Sequence, residues 1–155
     1  MSAGSSEQTD LEPRTDRPIV VGVDGSENSV GALGWAAGQA VLTGARLKVI
    51  TTWEWPTTYG GPLPYPSDWD PTADAQKVLA QAVELVRKDH PRIEVDTSVV
   101  EGHPAPVLVE ASRGAELLVV GSRGHGEFVG MLLGSVSEHC VTNAHCPVLV
   151  HRRDG

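Results

Sequence analysis

The sequence predicts an α/β protein with an open five-stranded parallel sheet, strand order 3-2-1-4-5, and helices on both faces. Short apolar runs rich in β-branched residues alternate along the chain with segments whose apolar residues recur at helical spacing. A glycine-rich segment directly follows the fourth apolar run. Ligands of open parallel sheets bind at the carboxyl ends of strands where the strand order reverses, so the first and fourth strands are expected to share one site.

The first two strands and the helix between them are predicted within residues 18–53. Residues 19–23 form an apolar run typical of a strand that is buried on both faces. Ser26 is a favourable helix N-cap, and Gly44 is a favourable residue to end that helix. Residues 47–53 are predicted to form the second strand.

The later elements follow the same alternation. Residues 93–99 alternate in polarity as a half-buried strand does, and Pro104 favours the start of a short helix. The predicted bounds are a helix at 75–88, a strand at 93–99, a helix at 105–112, a strand at 117–120, a helix at 135–143 and a strand at 148–150. Residues 1–17 are polar and predicted to be a disordered tail, which leaves 18–155 as one domain.

Residues 55–71 interrupt the pattern. This segment is rich in proline, glycine and aromatic residues, a composition that disfavours regular structure. A loop of this length within a compact domain is typical of a lid or an interface element.

Composition excludes several classes of function. The net charge of −8 argues against general binding to nucleic acids or acidic membranes, both of which favour a basic surface. The apolar runs are too short to span a membrane, and the first residues do not resemble a signal peptide. With two cysteines among 155 residues, we expect a cytoplasmic protein.

The glycine-rich segment has the properties of a phosphate-binding loop. Gly121 and Gly124 are three residues apart, and Gly134 with Ser135 follows after nine further residues, at the start of a predicted helix. Glycine allows backbone N–H groups to approach a ligand closely, and a helix N-terminus favours anions. The segment is not a Walker A loop, because no lysine follows Gly121. The turn after the first strand does not fit the Rossmann glycine pattern either.

The pattern resembles the universal stress protein family. Gly121, Gly124, Gly134 and Ser135 fall on every specified position of the ATP-binding motif of that family, Gly-2x-Gly-9x-Gly-Ser/Thr. Further similarity lies in the first strand and turn, in the segment that leads into the third crossover, and in the closing strand, at residues 20–26, 101–104 and 146–150. The resemblance covers residues 18–152 and implies a single domain with the adenine nucleotide alpha hydrolase-like fold.

The resemblance also implies a nucleotide site. Asp24 matches an aspartate near the adenosine part of the ligand, and Thr52 matches a position whose backbone reads adenine. Ser135 would offer a hydroxyl and an N–H group to a phosphate. Arg123 has no specified role in the motif, but its positive charge would screen phosphate charge. The predicted nucleotide-binding residues are Gly22, Val23, Asp24, Thr52, Val120, Gly121, Arg123, Gly124, Gly134, Ser135, Val136 and Ser137.

The sequence favours nucleotide binding over catalysis. Phosphoryl transfer needs a positioned base and metal ligands, whereas this loop has no lysine and one carboxylate, Glu127. We therefore predict no catalytic residue, and expect ATP, with or without Mg²⁺, to regulate a stress-adaptation protein. The resemblance implies a homodimer formed through the last strand. Three alternatives remain open: a slow ATPase or a protein that phosphorylates itself with Ser135 or Ser137 as acceptor, a cyclic AMP sensor, and a partner module that binds no nucleotide.

Two histidine–cysteine pairs invite comparison with a zinc site. His139 and Cys140 are neighbours on a predicted helix and point in different directions, and Cys146 precedes the last strand. We therefore predict neither a metal site nor, in a reducing compartment, a disulfide between the cysteines.

Overall fold

The structure, a computed structural model, confirms the predicted sheet. It describes residues 17–55, 57–58, 61–62, 66–123 and 133–152. The elements in chain order are β1 Ile19–Gly22, α1 Glu27–Thr43, β2 Leu47–Trp53, β3 Thr57–Thr58, β4 Gly61–Pro62, α2 Pro71–Asp89, β5 Val95–Glu101, α3 Pro104–Ala111, β6 Leu117–Gly121, α4 Ser135–Asn143 and β7 Val148–His151. Apart from Arg17, the predicted tail lies outside the described residues.

The main sheet has the order β5-β2-β1-β6-β7, and every neighbouring pair of its strands is parallel. Numbering these five strands along the chain gives the predicted 3-2-1-4-5. Successive side chains of β1 point to opposite faces of the sheet. Ile19 and Val21 pack in a core with α1 and α2, whereas Val20 packs in a second core with α3 and α4. The sheet is therefore covered by helices on both faces.

The helix termini follow from local sequence. The hydroxyl of Ser26 accepts a hydrogen bond from the backbone N–H of Ser29, which confirms Ser26 as the N-cap of α1. Gly44 ends that helix in the left-handed conformation, with φ of 77°. No helix within the described ranges has both the length and the hydrophobicity needed to cross a bilayer.

Helix α2 begins earlier than predicted. It starts at Pro71 instead of residue 75, because the Asp70 carboxylate accepts hydrogen bonds from the N–H groups of Thr72 and Ala73 at 3.0 and 3.3 Å. Proline at the first helical position costs no hydrogen bond, so Asp70 and Pro71 together form a favourable helix start. The predicted irregular segment 55–71 is thus shorter.

That segment also contains regular structure that was not predicted. Residues 57–58 and 61–62 pair as a short antiparallel ladder, β3 with β4. The Trp55 ring contacts Trp53 and Trp69 edge-on, with ring centroids 5.4 and 6.0 Å apart. These contacts pack both ends of the segment against the end of β2.

Candidate functional site

A cavity lies at the carboxyl ends of β1, β2 and β6, where the sequence predicts a ligand site. It encloses about 580 Å³ of empty space, part of it open to solvent. Ten of the twelve predicted binding residues line it: Gly22, Val23, Asp24, Thr52, Val120, Gly121, Arg123, Gly134, Val136 and Ser137. Ser135 is not among the lining residues, and Gly124 lies outside the described ranges.

Four further residues line the cavity and were not predicted: Ser29, Ile50, Pro104 and Leu108. Ile50 lies two residues before Thr52 on β2, so the strand period places both on one face. Pro104 and Leu108 are four residues apart on α3 and share a face of that helix. The strand period could have identified Ile50 from Thr52, whereas the spacing of Pro104 and Leu108 does not show which way their shared face points. Ile50, Leu108 and Val120 are each 3% exposed and form an apolar wall.

The turn after β1 holds Asp24 at the cavity. A carboxylate oxygen of Asp24 accepts a hydrogen bond from the backbone N–H of Ser26 at 2.9 Å. The N–H of Asp24 donates to the hydroxyl oxygen of Ser29 at 3.3 Å. Val23 extends the β1–β2 ladder by one residue, because its N–H donates to the carbonyl of Ile50 at 2.9 Å. Asp24 is thus fixed by the strand before it and the helix after it.

The two described ends of the glycine-rich segment, at Gly121 and Gly134, both lie at the cavity. Gly121 is the last residue of β6, and the backbone N–H of Gly134 donates to the carbonyl of Ser122 at 2.6 Å. Gly134 is the N-cap of α4 and has an extended conformation, with φ of −75° and ψ of 167°. Gly134, Val136 and Ser137 all line the cavity, so the N-terminus of α4 lies at its wall.

Charges of both signs lie at the cavity. Among the described lining residues, Arg123 carries a positive charge and Asp24 a negative one. The described ranges contain no group of three His, Cys, Asp or Glu side chains arranged to hold a metal ion.

Both cysteines lie away from this lining and are free thiols. Cys140 is fully buried, and burial raises the pKa of its thiol from 9.0 to about 11. Burial also raises the pKa of Cys146, an effect that a hydrogen bond from the Leu118 backbone opposes. Raised pKa values favour inert thiols over reactive thiolates.

The fold and the glycine-lined cavity define an α/β protein with an open parallel sheet and a candidate ligand site at the carboxyl ends of its strands. Comparison with known proteins identifies the family. The family model described as the universal stress protein family matches residues 16–152. Universal stress protein Rv2624c of Mycobacterium tuberculosis (strain ATCC 25618 / H37Rv) is 35% identical over 139 residues, which cover 89% of this chain and 49% of that protein. The chain therefore belongs to the universal stress protein family. It spans about half the length of the curated relatives that it matches.

Solved structures of the family share the fold. A universal stress protein in complex with cAMP superimposes with a TM-score of 0.64 and 28% identity, covering 86% of this chain and 94% of that one. The universal stress protein from Archaeoglobus fulgidus in complex with dAMP gives a TM-score of 0.64 with 24% identity, covering 88% of this chain and 98% of that one.

Proposed function

We propose that this protein binds an adenine nucleotide, and ATP in particular, in the cavity at the carboxyl ends of β1, β2 and β6. One observation carries the proposal: Asp24 and Gly134, which are 110 positions apart in the sequence, line the same cavity. The turn after β1 and the start of α4 thereby contribute polar groups to one ligand.

The apolar wall suits the base of the ligand. Ile50, Leu108 and Val120 line the cavity with apolar side chains, against which a planar base would pack. Thr52 lies beyond Ile50 on the same strand and lines the same space. We assign this end of the cavity to adenine. We assign Asp24 to the ribose, because its carboxylate can accept hydrogen bonds from the ribose hydroxyls.

The start of α4 suits the phosphates. The first turn of a helix presents N–H groups and the positive end of the helix dipole, and both stabilise anions. Gly134, as the N-cap, has no side chain to cap those groups. Arg123 lines the same cavity and supplies a positive charge. We therefore assign the phosphates to Gly121, Gly134 and the first turn of α4, with Arg123 screening their charge.

Nucleotide binding without turnover fits these residues best. Of the described residues that line the cavity, Asp24 supplies the carboxylate, and one of its oxygens already accepts a hydrogen bond from Ser26. Efficient phosphoryl transfer needs a positioned base as well as metal ligands. Mg²⁺ would accompany ATP chiefly through the phosphate oxygens. We infer a regulatory protein of stress adaptation whose ATP occupancy controls its associations.

A second candidate ligand is cyclic AMP. The solved relative at 28% identity is a complex with cAMP, and the match covers 94% of that chain. A cyclic monophosphate carries less charge than ATP and would make fewer contacts with the start of α4.

We also propose a homodimer formed through β7, in the cytoplasm. β7 is an edge strand whose side chains are all half-buried and mostly apolar. The opposite edge, β5, carries Asp96 and Glu101, and charges on an edge strand disfavour pairing. The β7 strand of a second chain would pair with the backbone N–H and C=O groups at this edge of the sheet. The free thiols fit a reducing compartment.

Isothermal calorimetry with ATP, AMP, cyclic AMP and adenosine tests the ligand. We expect ATP to bind more tightly than adenosine, because only ATP engages the start of α4. Asp24→Asn keeps an oxygen for the Ser26 N–H but loses the charge, and should weaken all four ligands. Asp96→Asn is the matched control, since Asp96 is exposed on β5 and pairs with Arg46 at 3.2 Å. Absence of binding heat for every ligand at millimolar concentration would refute the proposal.

Two further measurements test the role. Incubation with γ-labelled ATP should give no sustained phosphate release and no label on the protein. Observed phosphate release, or label retained on the protein, would establish an enzyme. Sedimentation equilibrium should give twice the chain mass of 16.4 kDa. A monomer at every concentration, with and without ATP, would contradict the dimer.

A further inference from the structure

Ser122 connects three elements around the proposed site through its backbone. Its N–H donates to the carbonyl of His151 on β7 at 2.9 Å, and its carbonyl accepts from the N–H of Gly134 at 2.6 Å. Ser122 is 5% exposed, so these bonds are shielded from water. They fix the two described ends of the glycine segment against each other and against β7.

The side chain of Ser137 adds a second connection at the same point. Its hydroxyl lies 3.1 Å from the carbonyl oxygen of Ser122 and 3.0 Å from that of Gly134, in donating geometry to both. Ser137 is 2% exposed and lies in the first turn of α4. The single proton of the hydroxyl is therefore shared between two backbone carbonyls at a buried position.

We propose that Ser137 is a positioning residue of the nucleotide site, and that its hydroxyl serves the backbone instead of the ligand. It holds the Ser122 carbonyl against the start of α4, and so keeps Gly121 and Gly134 together at the phosphate end of the cavity. The inference rests on the proposed function. It also removes Ser137 as an acceptor of a phosphoryl group, because the hydroxyl is buried and occupied.

The distinguishing consequence is selective loss of phosphate binding. Ser137→Ala removes the bond to the Ser122 carbonyl but leaves the apolar wall at Ile50 and Leu108 unchanged. ATP affinity should fall about tenfold, the effect of losing one buried hydrogen bond from the site geometry. Adenosine affinity should change less than about twofold, since adenosine has no phosphate. Ser137→Thr keeps a hydroxyl and should restore most of the ATP affinity.

Ser112→Ala is the matched control. Ser112 is also fully buried, and its hydroxyl also joins two segments: it donates to the Val109 carbonyl and accepts from the His145 N–H at 2.8 Å. Pro104, at the start of α3, lines the cavity, whereas Ser112 lies at the other end of that helix and does not line it. Ser112→Ala should reduce thermal stability to a similar degree and leave the ratio of ATP to adenosine affinity unchanged.

Calorimetry on the wild-type chain and these variants separates the outcomes. Equal weakening of ATP and adenosine in Ser137→Ala, or an equal effect of Ser112→Ala, would overturn the positioning role. Wild-type protein that binds ATP while Ser137→Ala binds it equally well would overturn this inference alone. Wild-type protein that binds neither ligand would refute the proposed function itself. If Ser137→Ala cannot be purified, Ser137→Cys replaces the hydroxyl with a thiol of similar size that is only a weak hydrogen-bond donor. This variant should also lose ATP affinity more than adenosine affinity.

Discussion

Gly121 at the end of β6 lies directly against the backbone of Asn28 in the first turn of α1. A Cβ atom on Gly121 would lie 2.9 Å from the carbonyl oxygen of Asn28 and 3.0 Å from its carbonyl carbon. Gly121 is not among the glycines with positive φ in the described residues. Glycine is therefore required here because two backbones approach closely, and this approach brings the start of α1 to the site.

Gly121→Ala should reduce stability and nucleotide affinity together. The methyl group meets backbone atoms, which cannot rotate away, so α1 or β6 must shift. We expect a loss of about 1–3 kcal/mol in the free energy of unfolding, typical of an overpacked site. Urea unfolding followed by circular dichroism measures it, and calorimetry with ATP on the folded variant measures the affinity.

Gly34→Ala provides the control on the same helix. A Cβ on Gly34 would meet no atom within 4 Å, and Gly34 lies inside α1. Alanine there should raise the free energy of unfolding by about 0.5–1 kcal/mol, because it restricts the unfolded chain and favours the helix. Similar effects of the two substitutions would contradict the close approach at Gly121.

Asp70→Ala should destabilise the start of α2. The substitution leaves the N–H groups of Thr72 and Ala73 without their acceptor, at an expected cost of about 1 kcal/mol in the free energy of unfolding. Asp70→Asn is the control, since its amide oxygen can still accept these bonds and should preserve most of the stability. Thermal unfolding of the three proteins at neutral pH measures the effect. Equal losses in both variants would show that the charge, instead of the cap, stabilises the helix.

The sequence was sufficient for those parts of the fold that depend on local chemistry. Ser26 and Gly44 mark the ends of α1 because an N-cap hydroxyl and a left-handed glycine act within a few residues. The start of α2 was equally local: Asp70 followed by Pro71 is a recognisable helix start, and the prediction overlooked it.

The candidate site was only partly predictable, for a physical reason. Glycine spacing and the strand order bring Asp24 and Gly134 together, but the partners of individual atoms depend on packing. Leu108 reaches the cavity because α3 crosses β1 and β2, and sequence spacing does not specify that crossing. From the sequence alone the hydroxyl of Ser137 resembles a ligand-binding group, whereas in the folded structure it is buried and donates to backbone carbonyls.

Gly22→Ala should narrow the cavity without unfolding the protein. A Cβ on Gly22 would lie 2.8 Å from a terminal carbon of Leu108, a flexible side chain that lines the same cavity. Because the Leu108 side chain lines the cavity and is otherwise buried, we expect its displacement to take space from the ligand. We expect adenosine and ATP affinities to fall by similar factors, measured by calorimetry.

A second substitution tests whether space is the cause. Gly22→Ala combined with Leu108→Val removes one carbon from the opposing side chain and should recover part of the lost affinity. Since the two residues touch, their effects on affinity should be non-additive. Strictly additive losses would show that Gly22 acts on the ligand by some other route than Leu108.

Cys140 should make the protein less stable at alkaline pH. Its thiol has a pKa of about 11 in the folded protein and 9.0 when unperturbed. Below pH 9 both folded and unfolded chains keep the proton, so this group gives no pH dependence there. Between pH 9 and 11 the unfolded chain releases the proton while the folded chain retains it, and the free energy of unfolding must fall. The loss from this group should reach about 2–3 kcal/mol by pH 11.

Cys140→Ala isolates this effect from other groups that titrate in the same range. The variant loses some packing at every pH, but its free energy of unfolding should decline less steeply than that of the wild-type chain above pH 9. Cys146→Ala is the comparison: Cys146 is only half-buried and its pKa is raised in the same direction, so removing it should flatten the decline less than Cys140→Ala does. Urea unfolding of the three proteins in reducing buffer from pH 7 to 11 measures the slopes. Parallel curves for wild type and Cys140→Ala would mean that the Cys140 thiol titrates alike in the folded and unfolded chains, so that its burial contributes nothing to alkaline unfolding.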